Sequence, residues 1–160
     1  MSPYIVIRLA SIAILLVLAM LATALPAAYA SEGIISATAT DAYEEDNLAE
    51  QATALPLDGS PQFRNLGYPG DEDWATVAAE AGALYVFTAT PYSGSPTRPE
   101  LALYGSEDQE KPIVHGRQLA DGTAFLFWRA SASGVYYLRI TEANGEGNSL
   151  YMYTLRASKM

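Results

Sequence analysis

The chain has no cysteine and only one histidine in its 160 residues. Disulfide staples are therefore excluded, although export would permit them. A structural zinc site built from Cys and His is excluded as well, and so is lipidation at a signal-cleavage site, which needs a cysteine. Basic residues are scarce: 9 Lys and Arg stand against 18 Asp and Glu, for a net charge of −9. Gripping a nucleic acid requires neutralising phosphates with Lys and Arg, so no nucleic-acid partner is expected. Internal repeats, low-complexity tracts and long helical patterns are missing too. The lone histidine, His115, has no G-x-S-x-G turn to work with, and no carboxylate pair is marked out for glycoside hydrolysis. The chain is expected not to be an enzyme, a small secreted hydrolase being the weakest of the alternatives.

What is present begins at the N-terminus. Residues 9–25 carry no charge, Pro26 breaks the apolar run, and Ala28-Tyr29-Ala30 offers the small-x-small pattern that a signal peptidase accepts. A signal peptide over residues 1–30 is expected, and with it a secreted protein, periplasmic or extracellular. Uncleaved, the same run would be a short membrane anchor, and the protein a structural or surface-held accessory. Residues 31–40 read as a lead-in, with an added edge strand as one reading. Residues 41–157 are the length of one domain and can bury a core that needs no staple.

Along this domain apolar residues recur with a period of two. Strands are predicted over residues 62–66, 74–79, 82–90, 101–104, 113–119, 124–129, 135–141 and 150–156, each bounded by Gly, Pro, Asn, Asp or Ser. Asp121-Gly122 reads as a two-residue hairpin turn. One short helix is expected over residues 46–55, with Leu48, Ala52 and Leu55 at helical spacing. About eight closely spaced strands and no long helix predict an all-β protein, an antiparallel jelly-roll-like β-sandwich.

Two acidic segments stand out, Asp41-Ala42-Tyr43-Glu44-Glu45-Asp46-Asn47 and Gly70-Asp71-Glu72-Asp73-Trp74. Each puts oxygen donors just ahead of predicted β-structure, which suits Ca²⁺ and its preference for several oxygen ligands. The alternative is solvated turns, with Asp46 capping a helix and Asp71 closing an Asx-turn. No EF-hand loop is present. These segments continue into Ala81-Gly82-x-x-Tyr85, Leu101-x-Leu103-Tyr104, Ser133-Gly134-x-Tyr136-Tyr137-Leu138-Arg139 and Gly147 through Tyr153-Thr154-Leu155. In order and spacing the whole series resembles the bacterial pre-peptidase C-terminal domain family, related to the collagen-binding domains of clostridial collagenases. The resemblance implies a jelly-roll-like sandwich. It also implies calcium at Glu44, Asp46, Asn47, Asp71 and Asp73, because corresponding positions hold it in relatives. The family often has proline where this chain has Glu45. No peptidase domain precedes the resemblance, which leaves binding as the expected role.

Most aromatic residues alternate along strands and are expected in the core, with Trp74 anchoring its acidic turn there. A few are candidates for gripping a ligand: Tyr136 and Trp128, flanked by Arg129 and Arg139, and the loop residues Tyr68 and Tyr92. The expected function is an exported binding or targeting module, stabilised by Ca²⁺. Its partner would be an extracellular protein or polysaccharide, or a separately encoded exported enzyme.

Overall fold

A computed structural model of the chain describes residues 41–160. The expected signal peptide (1–30) and lead-in (31–40) lie outside the described residues. Ten strands form among them: β1 (Thr53–Ala54), β2 (Gln62–Asn65), β3 (Glu72–Ala79), β4 (Leu84–Pro91), β5 (Pro99–Tyr104), β6 (Val114–His115), β7 (Arg117–Gln118), β8 (Ala124–Arg129), β9 (Gly134–Glu142) and β10 (Met152–Lys159). They build two five-stranded sheets, ordered β1-β3-β9-β5-β6 and β2-β10-β4-β8-β7. Neighbours run antiparallel except β1, which lies parallel to β3.

The alternation explains the packing. In β4, Tyr85, Phe87 and Ala89 face inward and are buried, while the residues between them are half-buried on the outer face. Val77, Leu103, Leu126, Leu138, Ile140, Tyr153 and Leu155 join them in one core between the sheets. Each such side chain contributes about 1.5–3 kcal/mol of burial. Trp74 does not enter this core. With Ala102 and Tyr104 it forms a second, smaller cluster on the outer face of the first sheet, against Ala49, Ala52 and Tyr137.

Three local expectations are corrected. The helix over residues 46–55 is a single 3-10 turn, Ala49–Gln51, followed by β1. Leu48 points to solvent at 57% exposure while Leu55 is buried, so the spacing does not mark one buried face. The strand over residues 113–119 is two strands in different sheets, β6 pairing with β5 and β7 with β8. The chain changes sheet at Gly116, where a Cβ would stand 2.9 Å from the Phe125 carbonyl oxygen and 3.0 Å from Leu101 Cβ. Asp121-Gly122 closes a three-residue rather than a two-residue loop. Leu119 N donates to Thr123 O at 2.8 Å, and Gly122 takes φ +86°, the left-handed residue such loops require.

Candidate metal centre

At one end of the sandwich the interior turns polar. Asp73 in β3 shares the inward phase of Ala75 and Val77 and is completely buried. From the opposite sheet, Arg64 of β2 and Tyr153 of β10 are cross-strand partners, and both are buried. The 41–48 segment closes this end, its backbone tied down where Trp74 N donates to Asp46 O at 2.9 Å. Asp41 fixes the segment further, accepting from Tyr43 N at 2.8 Å and Asn65 N at 2.7 Å. The Glu44–Glu45 peptide within it is cis.

The side chains form a dense ionic network. Arg64 Nη1 donates to Asp46 Oδ2 in a fully buried salt bridge. Its other nitrogens donate to Gln62 Oε1 (3.0 and 2.8 Å) and Thr53 Oγ1 (2.7 Å). The Tyr43 ring covers the guanidinium at 4.3 Å. Tyr153 Oη donates to Asp73 Oδ2, while Asp73 Oδ1 is buried and has no hydrogen-bond partner among the described residues. One carboxylate oxygen each of Glu44, Asp46 and Asp73 lie within 4.8 Å of one another.

Charge is held at a cost here. Burial lifts the Asp46 carboxyl from 3.8 to about 7, against the pull of Arg64. It also lifts Asp73 well above the ordinary carboxylate range, and raises Glu44, where repulsion from Asp71 and Asp41 adds to it. Crowded, desolvated carboxylates of this kind bind either protons or cations.

Of the five expected ligands, Glu44, Asp46 and Asp73 converge. Asp71 is buried but lies outside this group and is held as a turn residue, accepting from Gly67 N at 2.5 Å and Glu72 N at 3.0 Å. Asn47 Oδ1 accepts from Tyr68 Oη at 2.9 Å, and burial beside Asp71 pushes that phenol up to about 12. The loop is clamped from behind by Gly147, where a Cβ would overlap the Tyr68 carbonyl.

The aromatic and arginine candidates do not share one surface. Trp128 and Tyr136 meet edge to face at 4.5 Å and pack on the main core. Arg139 points to the opposite side of its sheet, where it lies over Trp74 (5.7 Å) and Tyr104 (5.2 Å) and pairs with Glu72 at 3.2 Å. Arg129 belongs to the other sheet, so no tyrosine row is flanked by Arg129 and Arg139. Tyr92, about half exposed, touches Phe63, whose ring centre is 6.4 Å away.

Sequence reasoning missed Arg64 and Tyr153 as parts of this centre. In β2 the apolar side chain faces out and the polar ones face in: Phe63 is 53% exposed, and Gln62 and Arg64 are buried. The available signal was an arginine two residues from a glutamine in a short strand, following an acidic segment that needs a counter-charge.

The fold is that of a pre-peptidase C-terminal domain. The chain superposes on that domain of a Bacillus anthracis collagenase with a TM-score of 0.53 and 18% identity, covering 67% of this chain and 94% of that one. Looser matches, which carry no inference, are two periplasmic inhibitors of g-type lysozyme. That of Aeromonas hydrophila has a TM-score of 0.45 at 15% identity, covering 68% of this chain and 97% of its own. That of Salmonella Typhimurium has 0.46 at 12% identity, covering 68% and 98%. No protein-family model matches the sequence, and no curated protein matches it.

Proposed function

We propose that the chain is an exported, non-catalytic module that binds an extracellular protein or polysaccharide. In this reading Ca²⁺, held by Glu44, Asp46 and Asp73 with Asn47 and Asp71 as further oxygen donors, fastens the 41–48 segment to the sandwich. The observation that supports the metal is the buried Oδ1 of Asp73, an acceptor without a donor beside two further carboxylates. The donors are all oxygen, which suits a hard cation and not a thiolate- or imidazole-seeking one. Bound there, the ion would supply positive charge that Arg64 alone does not.

Export rests on the Ala28-Tyr29-Ala30 pattern after an uncharged run. The binding role is supported by the shared fold and by exposed aromatic residues such as Phe63, Tyr92 and Phe127. The two recesses beside His115 have no serine, threonine or cysteine in their walls, which gives that imidazole no nucleophile to activate.

Titration calorimetry with Ca²⁺, joined to thermal melts in calcium and in chelator, tests the metal. Saturable binding with a raised melting temperature is expected, because a ligand selective for the native state stabilises it. Both effects should disappear in an Asp46→Asn/Asp73→Asn variant. The absence of binding at millimolar calcium would remove the metal and leave the carboxylates as a polar plug. With binding in hand, collagen-like peptides and glycans are the first ligands to screen in calcium.

A further inference from the structure

The second sheet has an unfinished edge. Strand β8 is paired along its whole length with β4 on one side. On the other side β7 covers only Ala124 and Phe125. Leu126, Phe127, Trp128 and Arg129 pair with β4 alone among the described residues, and β6 passes near β8 without pairing with it. The missing length of β7 is a consequence of Gly116, at which the chain leaves for the first sheet. Backbone N–H and C=O groups along such an edge are a template for another strand.

Two further observations mark this edge as a place where something docks. A recess of about 340 Å³ opens beside it, lined by Val114, His115, Arg117, Phe125, Leu126 and Phe127. Phe127 is 57% exposed and meets the Phe125 ring at 5.6 Å, so an apolar platform stands next to the free backbone. The charge is also the reverse of the chain's average. Residues 81–99 and 122–141 contain no Asp or Glu, in a protein with 18 of them. The edge is flanked instead by two exposed arginines, Arg117 on β7 and Arg129 at the end of β8, whose Nη1 donates to Gly82 O at 2.6 Å.

We propose that the β8 edge is a strand-addition site for an extended acidic polypeptide segment of a partner protein. The segment continues the line of β7 beside residues 126–129, seats an apolar side chain in the recess against Phe127, and sets carboxylates towards Arg117 and Arg129. Main-chain pairing supplies affinity in this mode, and alternate side chains supply specificity. A second copy of the same edge is disfavoured because like charges would meet. The site deepens the reading of the chain as a binding module and is independent of the carboxylate cluster, so calcium binding and peptide binding fail separately.

The test is an amide chemical-shift titration of the labelled protein with an alternating Glu/Val hexapeptide. Three other probes run in parallel: its Lys/Val counterpart, a Glu/Val peptide with alternate amides N-methylated, and phosphatidylglycerol vesicles. Saturable shifts at residues 126–129 with the Glu/Val peptide alone are expected. Affinity should fall about tenfold or more in Arg117→Glu/Arg129→Glu, since reversing charges that face a partner turns attraction into repulsion. Phe127→Lys, a change at an exposed position that should leave the fold intact, should lower it as well. No shifts at this edge at millimolar peptide, equal binding by the N-methylated peptide, or binding by vesicles but not peptide would each overturn the proposal.

Discussion

In a calcium-free buffer, the protein is expected to lose stability as the pH rises from about 4 to about 7. The carboxylate cluster is the cause. Burial lifts the Asp46 carboxyl from 3.8 to about 7, and shifts Glu44, Asp71 and Asp73 in the same direction. An acid whose pKa is raised on folding binds its proton more tightly in the native state than in the unfolded chain. Its contribution to stability is complete below the unfolded value, shrinks between the two values, and is gone above the folded one. For Asp46 alone the interval corresponds to about 4 kcal/mol, at about 1.4 kcal/mol per pH unit. That is a large share of the roughly 5–15 kcal/mol that holds a domain together. Urea unfolding at steps from about pH 4 to about pH 7 in chelator reads the slope directly. Asp46→Asn, which cannot ionise, should remove most of what Asp46 contributes to it. Calcium should act in the opposite sense. Metal binding needs ionised carboxylates, so its affinity should climb across the same interval. A chelated protein whose stability stays flat or rises over this range, with Asp46→Asn behaving like the parent, would refute the reasoning.

Tyr153→Phe keeps the ring in the core but deprives Asp73 Oδ2 of its donor. In chelator it should cost about 1–3 kcal/mol in urea unfolding, the usual penalty for a buried polar group left unmatched. Calcium should narrow the gap between variant and parent. Gly116→Ala places a methyl group 2.9 Å from the Phe125 carbonyl and 3.0 Å from Leu101 Cβ. It should destabilise by about 1–3 kcal/mol through overpacking, read as a lowered melting temperature. A neutral outcome would mean that the crossing between sheets is looser than these distances imply.

Wherever one face of a strand meets the core and the other meets solvent, the fold was legible. Strand β8 was predicted over residues 124–129 and runs Ala124–Arg129, and the ends of β3, β4 and β9 moved by a residue or two. Periodicity failed where it carried no information about partners. Residues 113–119 alternate in exposure throughout, yet nothing in alternation says that one half pairs with β5 and the other with β8. Residues 46–55 have helical spacing, but the segment is short and its backbone is tied to β3 through Trp74 and Thr76. Tertiary hydrogen bonds outweigh a weak propensity over so few residues. Within the site, carboxylates announce themselves by their density in two segments. Their counter-charge does not, because Arg64 reaches them from a third segment by a pairing with Tyr153 that only the folded register supplies.

The network also shows why a single arginine does not complete this centre. Arg64 divides its donors among Asp46, Gln62 and Thr53 and is capped by Tyr43, so it has no donor directed to Asp73. Asp73 is left with one hydroxyl for two oxygens, in a position with no access to water. Three carboxylates facing one guanidinium leave an uncompensated negative charge, which a low-dielectric interior does not tolerate. Either a proton or a cation must supply the difference. Protonation of Asp73 and Asp46 would meet the need at low pH, and a divalent ion, as proposed, would meet it at high pH. The two solutions exclude one another at the same oxygens. Calcium binding is therefore expected to expel protons, and calorimetry in buffers of different ionisation enthalpy should give different apparent heats at neutral pH. Heats that do not depend on the buffer would mean that the carboxylates are already ionised and that the burial argument overstates their cost.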